Sequence, residues 1–170
     1  MESGIPALMI AAILMLATVM MARGGFLGAD AVGLSLRESE ARYGQQNRTS
    51  LTVTGDAIDG SGANVTLTIH NDGQTPLADF AGMDLVVQYF GETGTRFDKW
   101  IPYTDGALAS DTWRAGNFVG DVFEPGILNA GETMDITIRL NPVVRAGTNN
   151  WAVIGTEKGV TVQTYFNGPP

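Results

Sequence analysis

Residues 132–140, ETMDITIRL, alternate apolar and polar side chains from Met134 onward. The apolar positions of this run are Met134, Ile136, Ile138 and Leu140. Successive side chains of a β-strand point to opposite faces, so this alternation is typical of an antiparallel strand with one buried face and one solvated face. The stretch therefore predicts that the larger part of the chain is built from half-buried strands.

The same alternation recurs along the chain from residue 50 onward. Short Asp-Gly, Asn-Asp-Gly and Pro-Gly sequences separate the runs, and these residues adopt the backbone angles that tight turns require. Seven or eight short strands with no helical pattern between them predict an immunoglobulin-like β-sandwich. The other alternating runs are residues 51–54, 65–70, 84–90, 151–155 and 160–166.

The chain opens with MESGIPALMIAAILMLATVMMARGG, in which residues 5–22 carry no charge. A helix of this length can cross a hydrocarbon core of about 30 Å. A secretory signal is disfavoured, because the leading segment carries the acidic Glu2 and no basic residue. An ordinary anchor has the right length, but the arginines follow it, beginning with Arg23, so the positive-inside rule would keep the body in the cytoplasm. A basic leader removed ahead of Met1 would resolve this conflict.

Apolar residues continue at helical spacing beyond this run. Met20, Leu27, Leu34 and Ala41 are seven positions apart, which predicts an apolar stripe over about forty residues and a rod near 60 Å long. Two interpretations are open. One is a membrane helix followed by a flexible Gly-rich stalk. The other is a helix that packs against copies of itself, since small residues such as Gly24 let helices approach closely.

The predicted fold class is α+β, with a long N-terminal hydrophobic α-helix over residues 1–45 and an all-β, immunoglobulin-like sandwich head over residues 46–170. In the self-packing interpretation, Glu2 lies among apolar neighbours and needs a charged partner such as an α-amino group. The predicted assembly residues of the helix are Glu2, Ile5, Ile10, Ile13, Leu14, Leu16, Met20, Gly24, Leu27 and Leu34.

Charge is divided unevenly between the two parts. Residues 1–48 hold four arginines and four acidic residues, whereas residues 49–170 hold six basic and fourteen acidic residues. An acidic domain repels the phosphate backbone, so nucleic acid is not expected as a partner. The chain contains no Cys, which excludes disulfides and thiolate chemistry.

The residues of the common enzyme chemistries are missing from the sequence. It has one His and no Cys, and it lacks the Gly-x-Ser-x-Gly, phosphate-binding and His-Glu-x-x-His motifs. His70 lies on the polar face of its predicted strand, where a solvated side chain is expected. Several Asp residues fall near turns, but no EF-hand spacing occurs. The sequence therefore predicts no enzyme, no cofactor and no metal site.

Two Asn-x-Thr sequons are candidate N-glycosylation sites. Asn47, followed by Arg48 and Thr49, lies at the predicted joint between the helix and the sandwich. Asn64 lies on the outward face of its predicted strand, together with Thr66. A glycan at either position would stay out of the core.

The whole architecture resembles archaellins, the filament subunits of the archaeal flagellum, and more loosely other type IV pilin-like proteins. Two stretches of the head carry the resemblance, LTIHNDGQTPLADFAGMDLVVQYF at residues 67–90 and PGILNAGETMDITIRL at residues 125–140. Both are equally similar to archaellum stator components, which carry one membrane helix and an immunoglobulin-like domain that grips the surface layer.

For an archaellin, the resemblance implies membrane storage, cleavage of a leader by a prepilin-type peptidase, and export by the archaellum assembly motor. Its partners are identical subunits, which form a homopolymer filament on the cell surface with β heads that are often N-glycosylated. Three functions are open. A filament subunit for motility is favoured, a membrane-anchored stator or surface-layer-binding protein is the alternative, and an anchored enzyme or binding module is the third.

Overall fold

The computed structural model describes residues 4–170; within the N-terminal helix, the side chains of residues 4–8, 11 and 22–31 are outside the description. One α-helix, one short 3₁₀ helix and eight strands make up the described chain. In chain order the elements are α1 Gly4–Arg48, β1 Leu51–Ile58, β2 Asn64–Asn71, the 3₁₀ helix Phe80–Gly82, β3 Asp84–Phe90, β4 Arg96–Trp100, β5 Thr112–Val119, β6 Thr133–Arg139, β7 Asn149–Gly155 and β8 Thr161–Asn167.

The chain divides into two compact units, Met1–Tyr43 and Gly44–Pro170. The second unit is a β-sandwich of two four-stranded sheets, ordered β1-β2-β6-β5 and β4-β3-β7-β8. Every strand pair within the two sheets is antiparallel. This order is that of an immunoglobulin-like sandwich, in which loops between consecutive strands cross from one sheet to the other.

The core lies between the sheets and is formed by alternate residues of each strand. In the first sheet Ile136 is the register partner of Leu67 on one side and of Ala115 on the other. Burial of such side chains is the main stabilising term, at roughly 25 cal/mol for each Å² of apolar surface removed from water. The largest fully buried side chains are Trp113, Tyr89, Phe166, Leu67, Ile69, Leu77, Leu85, Ile101, Leu128, Met134, Ile136 and Ile138.

The strands predicted from alternation are confirmed. Strand β6, Thr133–Arg139, covers all of ETMDITIRL except its first and last residues. The other five alternating runs fall on β1, β2, β3, β7 and β8. Strands β4 and β5 were not among the predicted runs. Both lie at a sheet edge, and β4 carries Arg96, Asp98 and Lys99, so its apolar alternation is weak.

The predicted fold class is wrong in its helical part, because the chain is mainly a β-sandwich and the helix is not the long apolar element that was predicted. Among the residues that the structure describes, no helix is long and apolar enough to cross a membrane. Charged residues from Arg37 onward end the apolar part of the helix well before its last residue, Arg48. The predicted stripe along it stays a prediction, because the side chains of residues 22–31 are outside the description.

Candidate interaction surface

The outer face of the first sheet is polar and rich in threonine. Alternation turns every second residue of β1, β2, β6 and β5 away from the core, and register aligns these residues in rows across the sheet, as in the pair Thr66 and Thr137. We call this surface the threonine face. Its residues are Thr52, Thr66, Thr68, His70, Thr112, Arg114, Thr133, Asp135, Thr137 and Arg139.

Side chains of the threonine face bond to one another. Asp135 accepts hydrogen bonds from the Thr68 hydroxyl at 2.7 Å and from the Asn117 amide at 2.6 Å. His70 Nδ1 lies 3.1 Å from the Thr133 hydroxyl, and His70 Nε2 lies 3.4 Å from a carboxylate oxygen of Asp72. These polar groups find partners within the face, so the face is suited to solvent.

The outer face of the second sheet has a different chemistry. Val86 of β3 is the register partner of Trp100 on β4 and of Val153 on β7. In the neighbouring row, Trp151 of β7 is the partner of Tyr165 on β8. These rows place aromatic and aliphatic side chains across all four strands. We call the surface of Val86, Trp100, Trp151, Val153 and Tyr165 the aromatic face.

The aromatic face is open to solvent at both edges of its sheet. Trp100 is 60% exposed on the edge strand β4, and Tyr165 is 65% exposed on the opposite edge strand β8. The indole nitrogen of Trp100 donates a hydrogen bond to Asp84 at 3.0 Å, which fixes the direction of the ring. Large aromatic side chains held in one orientation lose little entropy when a partner covers them.

Charge on the aromatic face is low and paired. Strands β7 and β8 contain no charged residue. On β4 the Arg96 guanidinium lies 3.0 Å from the Asp98 carboxylate, which also accepts a hydrogen bond from Gln88 at 2.8 Å. The hydrogen bonds from Arg96 and from Gln88 lower the pKa of Asp98. A nearly neutral face with exposed aromatic side chains, on an otherwise acidic domain, has the composition of an interaction site.

A partly buried ion pair anchors the edge strand that carries Trp100. Lys99 lies 2.7 Å from the Asp111 carboxylate and also donates to the backbone carbonyl of Asn141. Partial burial opposes the charge on Lys99, but the hydrogen bond to Asp111 and the neighbouring Tyr89 outweigh it, so the pKa of Lys99 is raised. Burial also raises the pKa of Tyr89. The ion pair ties β4 to the segments that lead into β5 and leave β6.

The assembly residues predicted from the sequence, apart from Glu2, belong to α1. Glu2 lies outside the described residues, as do the side chains of Ile5, Gly24 and Leu27. The other predicted assembly residues are exposed in this single chain, and their role stays a prediction. They are Ile10, Ile13, Leu14, Leu16, Met20 and Leu34.

The two sequons differ in their surroundings. Asn47 is exposed in the last turn of α1, but the Thr49 of its sequon is buried and its hydroxyl donates to the Gln45 carbonyl at 2.9 Å. Asn64 is half-buried at the start of β2, and its amide donates to Asp59 at 2.6 Å. Glycosylation at either Asn stays a prediction.

Within the described residues, no group of His, Asp or Glu side chains is arranged to hold a metal ion. The aromatic face was missed by sequence reasoning, although one signal existed. Trp151, Val153 and Tyr165 all occupy the polar phase of alternating strands, where an apolar residue requires an explanation.

Comparison with known proteins identifies the fold. No protein-family model matches the chain, and no curated protein sequence matches it. The chain is similar to the archaellum periplasmic stator protein FlaG from Sulfolobus acidocaldarius, with a TM-score of 0.52 and 20% sequence identity. The match covers 69% of this chain and 99% of that chain.

Two further structures share the fold. One is a chain of the archaellum periplasmic stator protein complex of FlaF and FlaG from S. acidocaldarius, with a TM-score of 0.51, 20% identity, and coverage of 68% of this chain and 87% of that chain. The other is the archaeal flagellum of Methanospirillum hungatei strain JF1, with a TM-score of 0.50, 14% identity, and coverage of 95% of this chain and 96% of that chain. The chain thus has the immunoglobulin-like sandwich fold of these archaellum proteins.

Proposed function

We propose that this protein is a stator-type component of an archaellum-like machine, with a β-sandwich that holds a neighbouring protein at the outer side of the cell. The aromatic face is the observation that carries the proposal. Its two edges expose Trp100 and Tyr165, whereas the outer face of the other sheet is polar. The similarity in fold to a periplasmic stator protein over 99% of that chain supports this function.

The proposed mechanism is mechanical. A stator must resist force, so the domain needs a rigid core and one strong contact, and it needs no catalytic group, cofactor or metal. Trp and Tyr are enriched among the few residues that carry most of the free energy of a protein interface. Trp100 is already fixed by its hydrogen bond to Asp84, and Lys99 holds the strand beneath it. The face is therefore pre-organised for binding to another protein of the cell surface, such as a surface-layer protein.

Location and copy number test the proposal in cells. A stator-type component should lie at the base of each archaellum and should be much less abundant than the filament subunit. We expect immunogold labelling of the full chain to concentrate at filament bases. Label spread along the filaments would contradict the stator proposal.

A second candidate function is the filament subunit of an archaellum. It is favoured by the similarity to the M. hungatei archaeal flagellum, which spans 95% of this chain. In this case the partners are identical subunits in a homopolymer for motility, and Asn47 and Asn64 are candidate positions for surface glycans. Quantitative mass spectrometry of sheared filaments separates the two candidates, since a filament subunit would be their most abundant protein.

A further inference from the structure

The connection between β5 and β6 carries a second apolar surface, which we call the tip loop and define as residues 120–126. Val122 is 79% exposed and Phe123 is 77% exposed. Val119, the last residue of β5, is exposed beside them. Exposed large apolar residues occur singly on most proteins, whereas three within five positions of one connection indicate a contact site.

The tip loop is held in one conformation. Its chain turns through left-handed backbone angles at Gly120, Glu124 and Gly126, with φ values of 87°, 55° and 85°. The Asn129 side chain donates to the Phe123 carbonyl at 2.9 Å, and the Gly126 N–H donates to the Asp121 carboxylate at 3.2 Å. The loop therefore presents its apolar pair in a fixed position, which lowers the entropy lost on binding.

Two acidic residues flank the apolar pair in sequence, the half-buried Asp121 and the exposed Glu124. Glu132, near the end of the same connection, is buried; its carboxylate accepts a hydrogen bond from the Asn129 N–H at 2.8 Å and helps to hold the connection. The chain as a whole has a net charge of −8. A surface that covers the tip must therefore match an apolar centre and an acidic rim, which favours a basic partner.

We propose that Val122 and Phe123 insert as an anchor into an apolar pocket of a second protein whose pocket is rimmed by Lys or Arg. The site is independent of the aromatic face, because it lies on the β5–β6 connection of the other sheet. A lipid surface is the less suitable occupant, since the flanking carboxylates and the acidic domain would be repelled by anionic headgroups. A second copy is also disfavoured, because it would bring two acidic rims together.

Photo-crosslinking in cells tests this inference. The full chain carries p-benzoylphenylalanine in place of Phe123, and a matched variant carries it in place of Thr54, an exposed residue of β1. We expect irradiation to give one discrete protein adduct at position 123 and not at position 54. Mass spectrometry should locate the crosslink in an apolar segment with Lys or Arg beside it. Adducts with lipid, with a second copy of the chain, or identical to those of position 54 would overturn the inference.

Affinity measurements with the partner that crosslinking identifies then test the apolar contact of Phe123 and the acidic charge of Glu124 separately. Phe123→Ser should weaken binding by at least about 30-fold, the effect expected for a central interface residue. Glu124→Lys should weaken it less and should flatten its dependence on salt. The thermal midpoint of both variants should stay that of the wild type, because these side chains are exposed. Unchanged affinity of Phe123→Ser with a folded domain would refute the anchor.

Discussion

The two outer faces of the sandwich are built by the same rule and have opposite chemistry. In both sheets every second side chain points outward, yet one sheet presents Thr66, Thr137 and their neighbours, and the other presents Trp100, Trp151 and Tyr165. The inner faces are alike, since both are mainly apolar. Folding therefore depends mainly on the residues that point inward, and the residues that point outward can vary to serve a function.

This comparison separates stability from binding. A polar outer face can exchange its hydrogen bonds with water at little cost, whereas an exposed aromatic face leaves apolar area that a partner can cover. If the aromatic face existed for stability, its residues would be buried by other parts of the domain. Trp100 and Tyr165 instead lie on opposite edges of their sheet and remain exposed.

The largest effect on stability is expected for the inner phase of the first sheet. Ile136→Ala removes a fully buried side chain and should lower the free energy of unfolding by about 2–5 kcal/mol. Thr137→Ala, at the next position on the outer face, should cost no more than about 1 kcal/mol. Urea unfolding of the full chain measures both. Equal costs for the two neighbours would mean that the outer face contributes to stability as the core does.

Alkaline pH should lower the free energy of unfolding by a smaller amount, through Lys99 and Tyr89. The raised pKa of Lys99 means that its stabilisation is complete below its unfolded value of about 10.4 and is lost as pH rises through the folded value. Tyr89 acts in the same direction, because its raised pKa lets the unfolded chain release the phenolic proton first, above about pH 10. Stability should therefore fall above about pH 10, by about 1 kcal/mol from a pair that is partly exposed.

Tyr89→Phe isolates one part of this effect. Its free energy of unfolding should fall less steeply than that of the wild type between pH 9 and about pH 11, since one of the two groups no longer titrates. Tyr165→Phe is the matched control, because it removes a hydroxyl from an exposed tyrosine. A profile of Tyr89→Phe that follows the wild type throughout would exclude Tyr89 from the alkaline transition.

The smallest differences are expected between the two outer faces themselves. Asp135→Ala removes the acceptor of two hydrogen bonds on the threonine face and should cost about 1 kcal/mol. Trp100→Ser on the aromatic face should change stability by less than about 0.5 kcal/mol, because the side chain is exposed at an edge. Thermal unfolding of both variants decides the order. A larger loss of stability for Trp100→Ser than for Asp135→Ala would mean that the aromatic face contributes to the stability of the fold.

The fold could be predicted from the sequence where alternation was strong. Strand β6 and the five alternating runs were found because apolar residues recur at every second position of each run. Strands β4 and β5 escaped because edge strands carry charges, glycine and irregular pairing; β5 has a register shift between Gly116 and Val119. The apolar character of the helix was overestimated from its uncharged stretch, because among the described residues no helix is long and apolar enough to cross a membrane.

The residues of the candidate site are brought together by strand pairing and register, which cannot be read from the sequence. Trp100 and Tyr165 are 65 positions apart and belong to the same sheet face only because β4, β3, β7 and β8 pair in that order. The outward aromatic residues of β7 and β8 could have been noticed from the alternation alone. That Trp100 lies on the same face could be learned only from the sheet order. That the tip loop is held in one conformation could be learned only from the hydrogen bond of the Asn129 side chain.

Swimming of cells that carry face variants tests the central claim most directly. The double variant Trp100→Ser/Tyr165→Ser changes the aromatic face, and Thr66→Ser/Thr137→Ser changes the threonine face by the same number of positions. With equal abundance and equal thermal midpoints, we expect the aromatic-face cells to lose most of their swimming in soft agar and the threonine-face cells to swim as the wild type does. Normal swimming of the aromatic-face cells would contradict the account.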